Sequence, residues 1–469
     1  VVSNRVALPA RDGRSPAGGL AVAVRSVLKR EAGIWFGWSG GIAASKEELQ
    51  TRSVEDGGIS YLVTDLTEDD YQEYYNGFAN RMLWPILHYR LDLAEFSRRD
   101  LSGYMRVNAH FAAELHKILQ PDDIVWVHDY HLIPLATVLR GYGHANKIGF
   151  FLHVPFPPPE ILTALPHHER LIPDLGQYDL VGFQTENDAA NFARYLARER
   201  RTPRRDRYAF QVGERTMRIG VFPIGIETAE FNRMARRSVR SPFVTETIAS
   251  LAGREMIIGV DRLDYSKGLA LRMEAFQSYL ANNPEGRGRI TYLQITPKSR
   301  SEIREYEELD RAVSETAGRI NGTYGEAAWT PIRYVNRSHT RSALAGLYRC
   351  ARAALVTPLR DGMNLVAKEY VAAQDEEDPG VLILSRFAGA AVELDCALLV
   401  NPYDPESVGA TIARALAMPL EERRARHAKM FQVLSANDVK FWGDRFVTTL
   451  ARPHVLPTLI GQSGAFLDD

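Results

Sequence analysis

Two stretches of the chain place residues able to hold a negatively charged group where a strand gives way to a helix. In the first, the apolar run Met256–Val260 leads into Asp261-Arg262-Leu263-Asp264-Tyr265-Ser266-Lys267-Gly268. An arginine and a lysine five positions apart, followed by a glycine and a helix, can aim two cations at one diphosphate; a surface pair would read the same way. In the second, Ala353–Val356 leads into Arg360-Asp361-Gly362-Met363-Asn364-Leu365-Val366-Ala367-Lys368-Glu369-Tyr370. The helix starting near Asn364 offers the unpaired amides of Asn364, Leu365 and Val366 to an anion. Glu369, one turn beyond Leu365, can face the same space and grip ribose hydroxyls; an exposed helix glutamate is the alternative. The structural alternative is a plain turn, in which Asp361 could cap this helix and Gly362 would let the backbone take a positive φ.

The elements that must position these groups follow from the hydrophobic pattern. Short continuous apolar runs alternate with helical stretches, as in parallel sheets covered by helices, so the fold class is α/β. The alternation starts afresh after Gly220–Glu227. The expected division is a Rossmann-like domain over 1–225 and a second over 226–436, with a C-terminal helix, about 437–469, crossing back to the first. In the first half, Ile124–Val127 runs into His128-Asp129-Tyr130-His131, and Ile148–Leu152 runs into His153. Polar residues at the ends of buried strands belong at the ligand edge of such a sheet, which makes Asp129 and His153 site candidates. A helix-capping aspartate and a satisfied buried histidine are the alternatives. His128 and His131 look like part of a zinc cluster, but no HExxH motif or cysteine pair completes it, so no metal is assigned. Gly18-Gly19 opens the helix LAVAVRSVLKREAG and could close over a phosphate or a sugar.

The long motifs carry a family resemblance. RDGMNLVAKEYVAAQ and VDRLDYSKGL are similar to the donor-site segments of trehalose-6-phosphate synthases, retaining glycosyltransferases of the GT-B type with two Rossmann-like domains facing across a cleft. IWFGWSG, EYYNGFANRMLWP, SRFAGAA and Asn401-Pro402-Tyr403 also resemble them, and the likeness runs from Ser3 to about Asp444. It implies transfer of glucose from a nucleotide-glucose donor to glucose 6-phosphate, giving α,α-1,1-trehalose 6-phosphate. It further implies that Arg262 and Lys267 hold the diphosphate, and that Asp361 and the backbone of Gly362, Met363 and Asn364 grip the donor glucose. His153 would hold the glucose 6-hydroxyl, and Gly19 would lie against the substrates. Arg5 and Arg300 match contacts to the acceptor phosphate, Tyr75 and Trp84 match acceptor-site aromatics, and Asp129 would orient the sugars. UDP-glucose is the expected donor. GDP- and ADP-glucose stay open because His339 stands where the bacterial pattern has an aromatic residue.

Composition sets the outer bounds. The 469 residues are 45% hydrophobic and 25% charged, and 57 Lys and Arg nearly balance 58 Asp and Glu. No global field favours nucleic acid or an anionic membrane. The basic run Arg198–Arg207 reads as a solvated helix end and loop. No apolar run is long enough to span a bilayer and no signal pattern opens the chain, so the expected location is cytoplasmic. The chain begins inside an apolar run, so a few residues of its first strand are expected to precede Val1. Cys350 and Cys396 form no motif and read as core residues. No cofactor is expected, the partners are small-molecule substrates, and a homo-oligomer is left open by the surface composition. A pseudo-glycosyltransferase joining cyclitols would need a changed polar shell at Asp361, Asn364 or His153. A catalytically silent regulatory homologue should have lost a phosphate-binding cation, yet Arg5, Arg262, Lys267 and Arg300 are all present.

Overall fold

A computed structural model describes residues 1–9, 19–31, 33–206, 208–298 and 303–452. Its strands are β1 (Val2–Arg5), β2 (Ile34–Ala43), β3 (Thr51–Asp56), β4 (Ile59–Thr67), β5 (Ile124–His128), β6 (Lys147–Phe151), β7 (Leu180–Phe183), β8 (Arg204–Asp206), β9 (Ala209–Val212) and β10 (Arg215–Val221) in the first sheet. The second sheet holds β11 (Glu255–Val260), β12 (Ile290–Ile295), β13 (Ile332–Val335), β14 (Ala353–Val356), β15 (Val381–Ser385) and β16 (Leu398–Val400).

The apolar runs form the sheet interiors. β7, β12, β14 and β15 are buried at every position, because helices cover both faces of a parallel sheet. The second sheet is wholly parallel in the order β13-β12-β11-β14-β15-β16. Chain progression therefore reverses between β11 and β14, and a crevice opens at the carboxyl ends of these two strands. The first sheet runs β3-β4-β2-β1-β5-β6-β7-β10-β9-β8, parallel in its middle and antiparallel at both margins. Its reversal lies between β1 and β5. One reversal carries Arg5 and Asp129, the other Arg262 and Asp361.

The helix Val439–Ala451 belongs to the packing of the first sheet. Its Trp442, Phe446 and Leu450 share a core with Trp126, Phe151 and Leu180, and the Phe446 ring stacks on Trp126 at 4.5 Å. The rest of the segment expected to cross back, 453–469, lies outside the described residues. Two further expectations need correction. Part of the basic run forms the exposed edge strand β8 rather than a loop, since Arg204 pairs with Phe210 and Asp206 with Ala209 of β9. Cys350 is exposed and Cys396 half-buried, so neither fills the core.

Candidate active site

The turn that carries Lys267 is held from behind by a buried polar network. Asp264 caps the turn Tyr265–Lys267 by accepting from the Ser266 amide at 2.9 Å, and Gly268 closes the turn at φ 64°, a conformation that favours glycine. Beneath the turn lies Arg272, fully buried. Its guanidinium donates to Asp261 at 2.5 Å, Thr357 at 2.9 Å, Gln294 at 3.2 Å and the Lys267 carbonyl at 3.1 Å. One side chain thus ties together the loops after β11 and β14 and the strand β12. Burial pushes the Asp261 carboxyl up, with Arg272 and then Lys267 opposing it.

Lys267 reaches across the crevice to Asp361 at 2.5 Å. Burial acts to raise the Asp361 carboxyl, but the Lys267 ammonium, with His88 and a hydrogen bond from Asn364, holds it below the usual range. Asp361 therefore stays ionised, and Lys267 keeps N–H donors to spare. Arg262 is exposed and forms no ion pair with any described residue; its guanidinium lies 5.9 Å from the Trp84 ring.

The helix Leu365–Ala373 begins differently from expectation. Asn364, not Asp361, is its cap: the Asn364 side chain accepts from the Ala367 amide at 3.0 Å and its backbone stands at φ 91°. Gly362 is not among the positive-φ residues. Its glycine is required by proximity instead, since a Cβ there would lie 2.1 Å from the His153 carbonyl oxygen of the other sheet. Met363 is buried in the core, its carbonyl accepting from the Ala390 amide at 2.8 Å. Leu365 and Val366 are half-buried at the helix start. Gly19 fits against Leu365, where a Cβ would come within 2.3 Å of Leu365 Cδ1. Glu369 lines a small pocket with Gly19, Glu227 and Arg341. Burial raises its carboxyl to about 7, with Arg341 at 3.7 Å opposing the rise.

On the facing edge, a row of rings runs from Arg5 to Arg262. Arg5 lies over Trp38 at 5.6 Å, Trp38 meets Tyr75 at 5.8 Å, and Tyr75 stacks on His131 at 5.9 Å and 13°. His131 touches Tyr130 at 4.0 Å, Tyr130 meets Trp84 at 5.8 Å, and Trp84 ends the row beneath Arg262. Tyr75 projects from a thirteen-residue π-helix, Tyr71–Leu83, which runs directly into Trp84. Such wide windings are rare and recur at functional sites. His88 donates from Nδ1 to the Trp84 carbonyl at 2.8 Å, and burial lowers its imidazole to about 4.

Asp129 does not cap a helix. It sits at φ 76° and ψ 164°, a region costing about 1–3 kcal/mol for a residue with a side chain, and its carboxylate accepts from the His153 amide at 3.2 Å. His153 shares a hydrogen bond of 3.0 Å with His128, and burial lowers its imidazole to about 3. His128 therefore pairs with His153 rather than with His131, and among the described residues no group of three His, Cys, Asp or Glu could hold a metal ion. Arg300 lies outside the described residues.

Reading the sequence missed Arg272, Arg341, His88 and Lys368. Lys368 is fully buried, donating to the Ile224 carbonyl at 2.7 Å and to Glu393 at 2.6 Å. A lysine or arginine inside a helix signals surface by type, and the partners here lie 5 to 144 positions away. His339, in the stretch expected to meet a nucleobase, packs on Phe243 at 4.9 Å.

Two facing Rossmann-like sheets, with cations and helix amides at one reversal and a ring-lined edge at the other, define a glycosyltransferase of the GT-B class. The chain belongs to glycosyltransferase family 20, whose model matches residues 10–452. It is 53% identical to a trehalose-6-phosphate synthase of Sinorhizobium fredii over 451 residues, 96% of this chain and 97% of that one. Among solved structures it resembles an alpha,alpha-trehalose-phosphate synthase (UDP-forming) from Burkholderia vietnamiensis, with TM-score 0.93, 46% identity and 96% of each chain covered. It also resembles the UDP-forming enzyme from Burkholderia xenovorans in complex with glucose-6-phosphate, with TM-score 0.92, 46% identity, and 96% and 98% of the two chains covered.

Proposed function

We propose that this protein moves glucose from UDP-glucose to the carbon-1 hydroxyl of glucose 6-phosphate, releasing UDP and forming α,α-1,1-trehalose 6-phosphate with retention at the donor carbon. The carrying observation is the opposition of Arg262, Lys267 and the Leu365–Val366 helix start to the row from Arg5 to Trp84. The relatives' UDP-forming activity and the bound glucose-6-phosphate of one of them support the choice of substrates.

In this reading, residues 226–436 hold the donor and 1–225 the acceptor. Arg262 and Lys267 meet the diphosphate with the Asn364–Val366 amides, and Glu369 accepts from the ribose hydroxyls beside Gly19. Asp361 and the Gly362–Asn364 backbone take the donor glucose hydroxyls, with His153 at its 6-hydroxyl. Arg5 and Arg300 meet the acceptor phosphate, and Tyr75, Trp84 and Asp129 set the acceptor's pose. As the glycosidic bond breaks, negative charge grows on the departing phosphate, where Arg262 and Lys267 stabilise it. The acceptor hydroxyl approaches on the same face and passes its proton to that phosphate. The protein supplies orientation and charge, and no side chain forms a covalent bond to glucose.

Among the described residues no helix is long and apolar enough to cross a membrane. Both proposed substrates are charged metabolites, which supports a cytoplasmic site of action. The test is incubation with glucose 6-phosphate and UDP-, GDP- or ADP-glucose in turn, with product read by mass. Trehalose 6-phosphate should form fastest with UDP-glucose; no disaccharide phosphate from any donor would refute the proposal.

A further inference from the structure

A second pocket, which shares no lining residue with the site described above, lies between the helix Arg98–His116 and the segment 166–174. It encloses about 560 Å³ and is lined by Phe78, Leu101, Met105, Pro166 and Leu171, with Arg98, His167, Arg170 and Asp174 at its polar margin. That volume is within the range that takes small organic ligands, about 300–1,000 Å³. Its apolar wall is continuous with the first core, because Phe78 and Leu171 are buried members of that core and Leu101 packs against it.

The polar margin is unbalanced. Neither Arg98 nor Arg170 forms an ion pair with any described residue, although many of the chain's other arginines do. The one carboxylate, Asp174, is partly occupied by the Thr137 hydroxyl at 2.7 Å. Burial lifts its carboxyl to about 6. His167 carries its backbone at φ 61°, left-handed for a residue with a side chain, and its ring packs on Phe96 at 5.6 Å. An exposed Met105, 41% accessible, adds an adaptable rim to the mouth.

We infer that this pocket binds a small organic anion with an apolar body, the body lying on Phe78, Leu101 and Leu171 and the anionic head between the Arg98 and Arg170 guanidiniums. Charge complementarity selects the head and the core-continuous wall selects the body. Neither a neutral alcohol nor a short acid satisfies both.

The test uses octanoate on the full chain, with octanol and acetate as controls, by isothermal titration calorimetry and ligand-observed NMR. Octanoate should saturate one site per chain, with both controls at least tenfold weaker. Leu101→Trp, which fills the pocket, and the pair Arg98→Glu with Arg170→Glu should each weaken octanoate at least tenfold. Both variants should leave glucosyl transfer and the melting temperature near the parent's. Two independent variants guard against misfolding of either. No saturable octanoate binding, equal binding of octanol, or retained binding in folded forms of both variants would overturn the inference.

Discussion

The two edges of the cleft fix their functional groups by different physics. Behind the donor edge, charge is held by charge: Arg272 grips Asp261 and the Lys267 carbonyl, and Lys267 grips Asp361. At the facing edge the row from Arg5 to Trp84 meets ring to ring, and ion pairs enter only beside it, where Glu73 of the π-helix meets Arg99 and Arg106. A group that must stabilise charge developing in a transition state gains from being unable to reorient, and a buried ion-pair network provides that rigidity. Recognition of a sugar needs shape and a flat apolar face, which aromatic rings supply.

The strongest way to break this contrast is at Arg272. Arg272→Leu strands Asp261 as a buried lone carboxylate and should cost about 3–5 kcal/mol in urea unfolding. Adding Asp261→Asn should restore much of that loss, whereas a second variant as unstable as the first would mean that Arg272 acts by packing alone. Next comes Arg262→Ala. Since Arg262 is exposed and outside the network, the fold should survive while kcat falls on the order of a hundredfold, more than donor KM rises. Near-parental turnover would remove it from the mechanism.

Arg5→Ala probes the other edge. It should lose about 1.5–3 kcal/mol of preference for glucose 6-phosphate over glucose, read as the ratio of kcat/KM values, with little change in stability. An unchanged ratio would place the phosphate elsewhere. The last test reads a slope. Glu369 is raised from an ordinary value near 4.5 to about 7, so the folded chain holds this proton more tightly than the unfolded chain. Its contribution to stability is complete below pH 4.5 and fades as pH rises through 7. Glu369→Gln should flatten the stability profile between those values, and an unaltered profile would contradict the burial argument.

Much of the crevice in the second sheet was legible because its determinants are local. An apolar run, a polar turn and a helix within about twenty residues placed Asp361 and Leu365, and the Arg262 and Lys267 spacing placed the cations. The finer conformation was not. A positive φ was read at Gly362, yet at the site it belongs to Asn364 and Asp129, one in the loop after β14 and one after β5. Gly362 answers to a carbonyl of the other sheet, which no local pattern announces. The burial of Arg272 and Lys368 has no local sign for the same reason: their partners are set by topology. Nor does hydrophobic periodicity distinguish the π winding of Tyr71–Leu83 from an α-helix.

The Lys267–Asp361 contact also bears on turnover. An ammonium with a carboxylate 2.5 Å away has a built-in competitor for any phosphate that approaches it. A solitary lysine would hold a spent nucleoside diphosphate more tightly and lengthen its residence, and product departure limits many enzymes of this kind of economy. With Lys267 on the diphosphate as proposed, Asp361 would shorten that residence by giving the ammonium a resident counter-ion to return to.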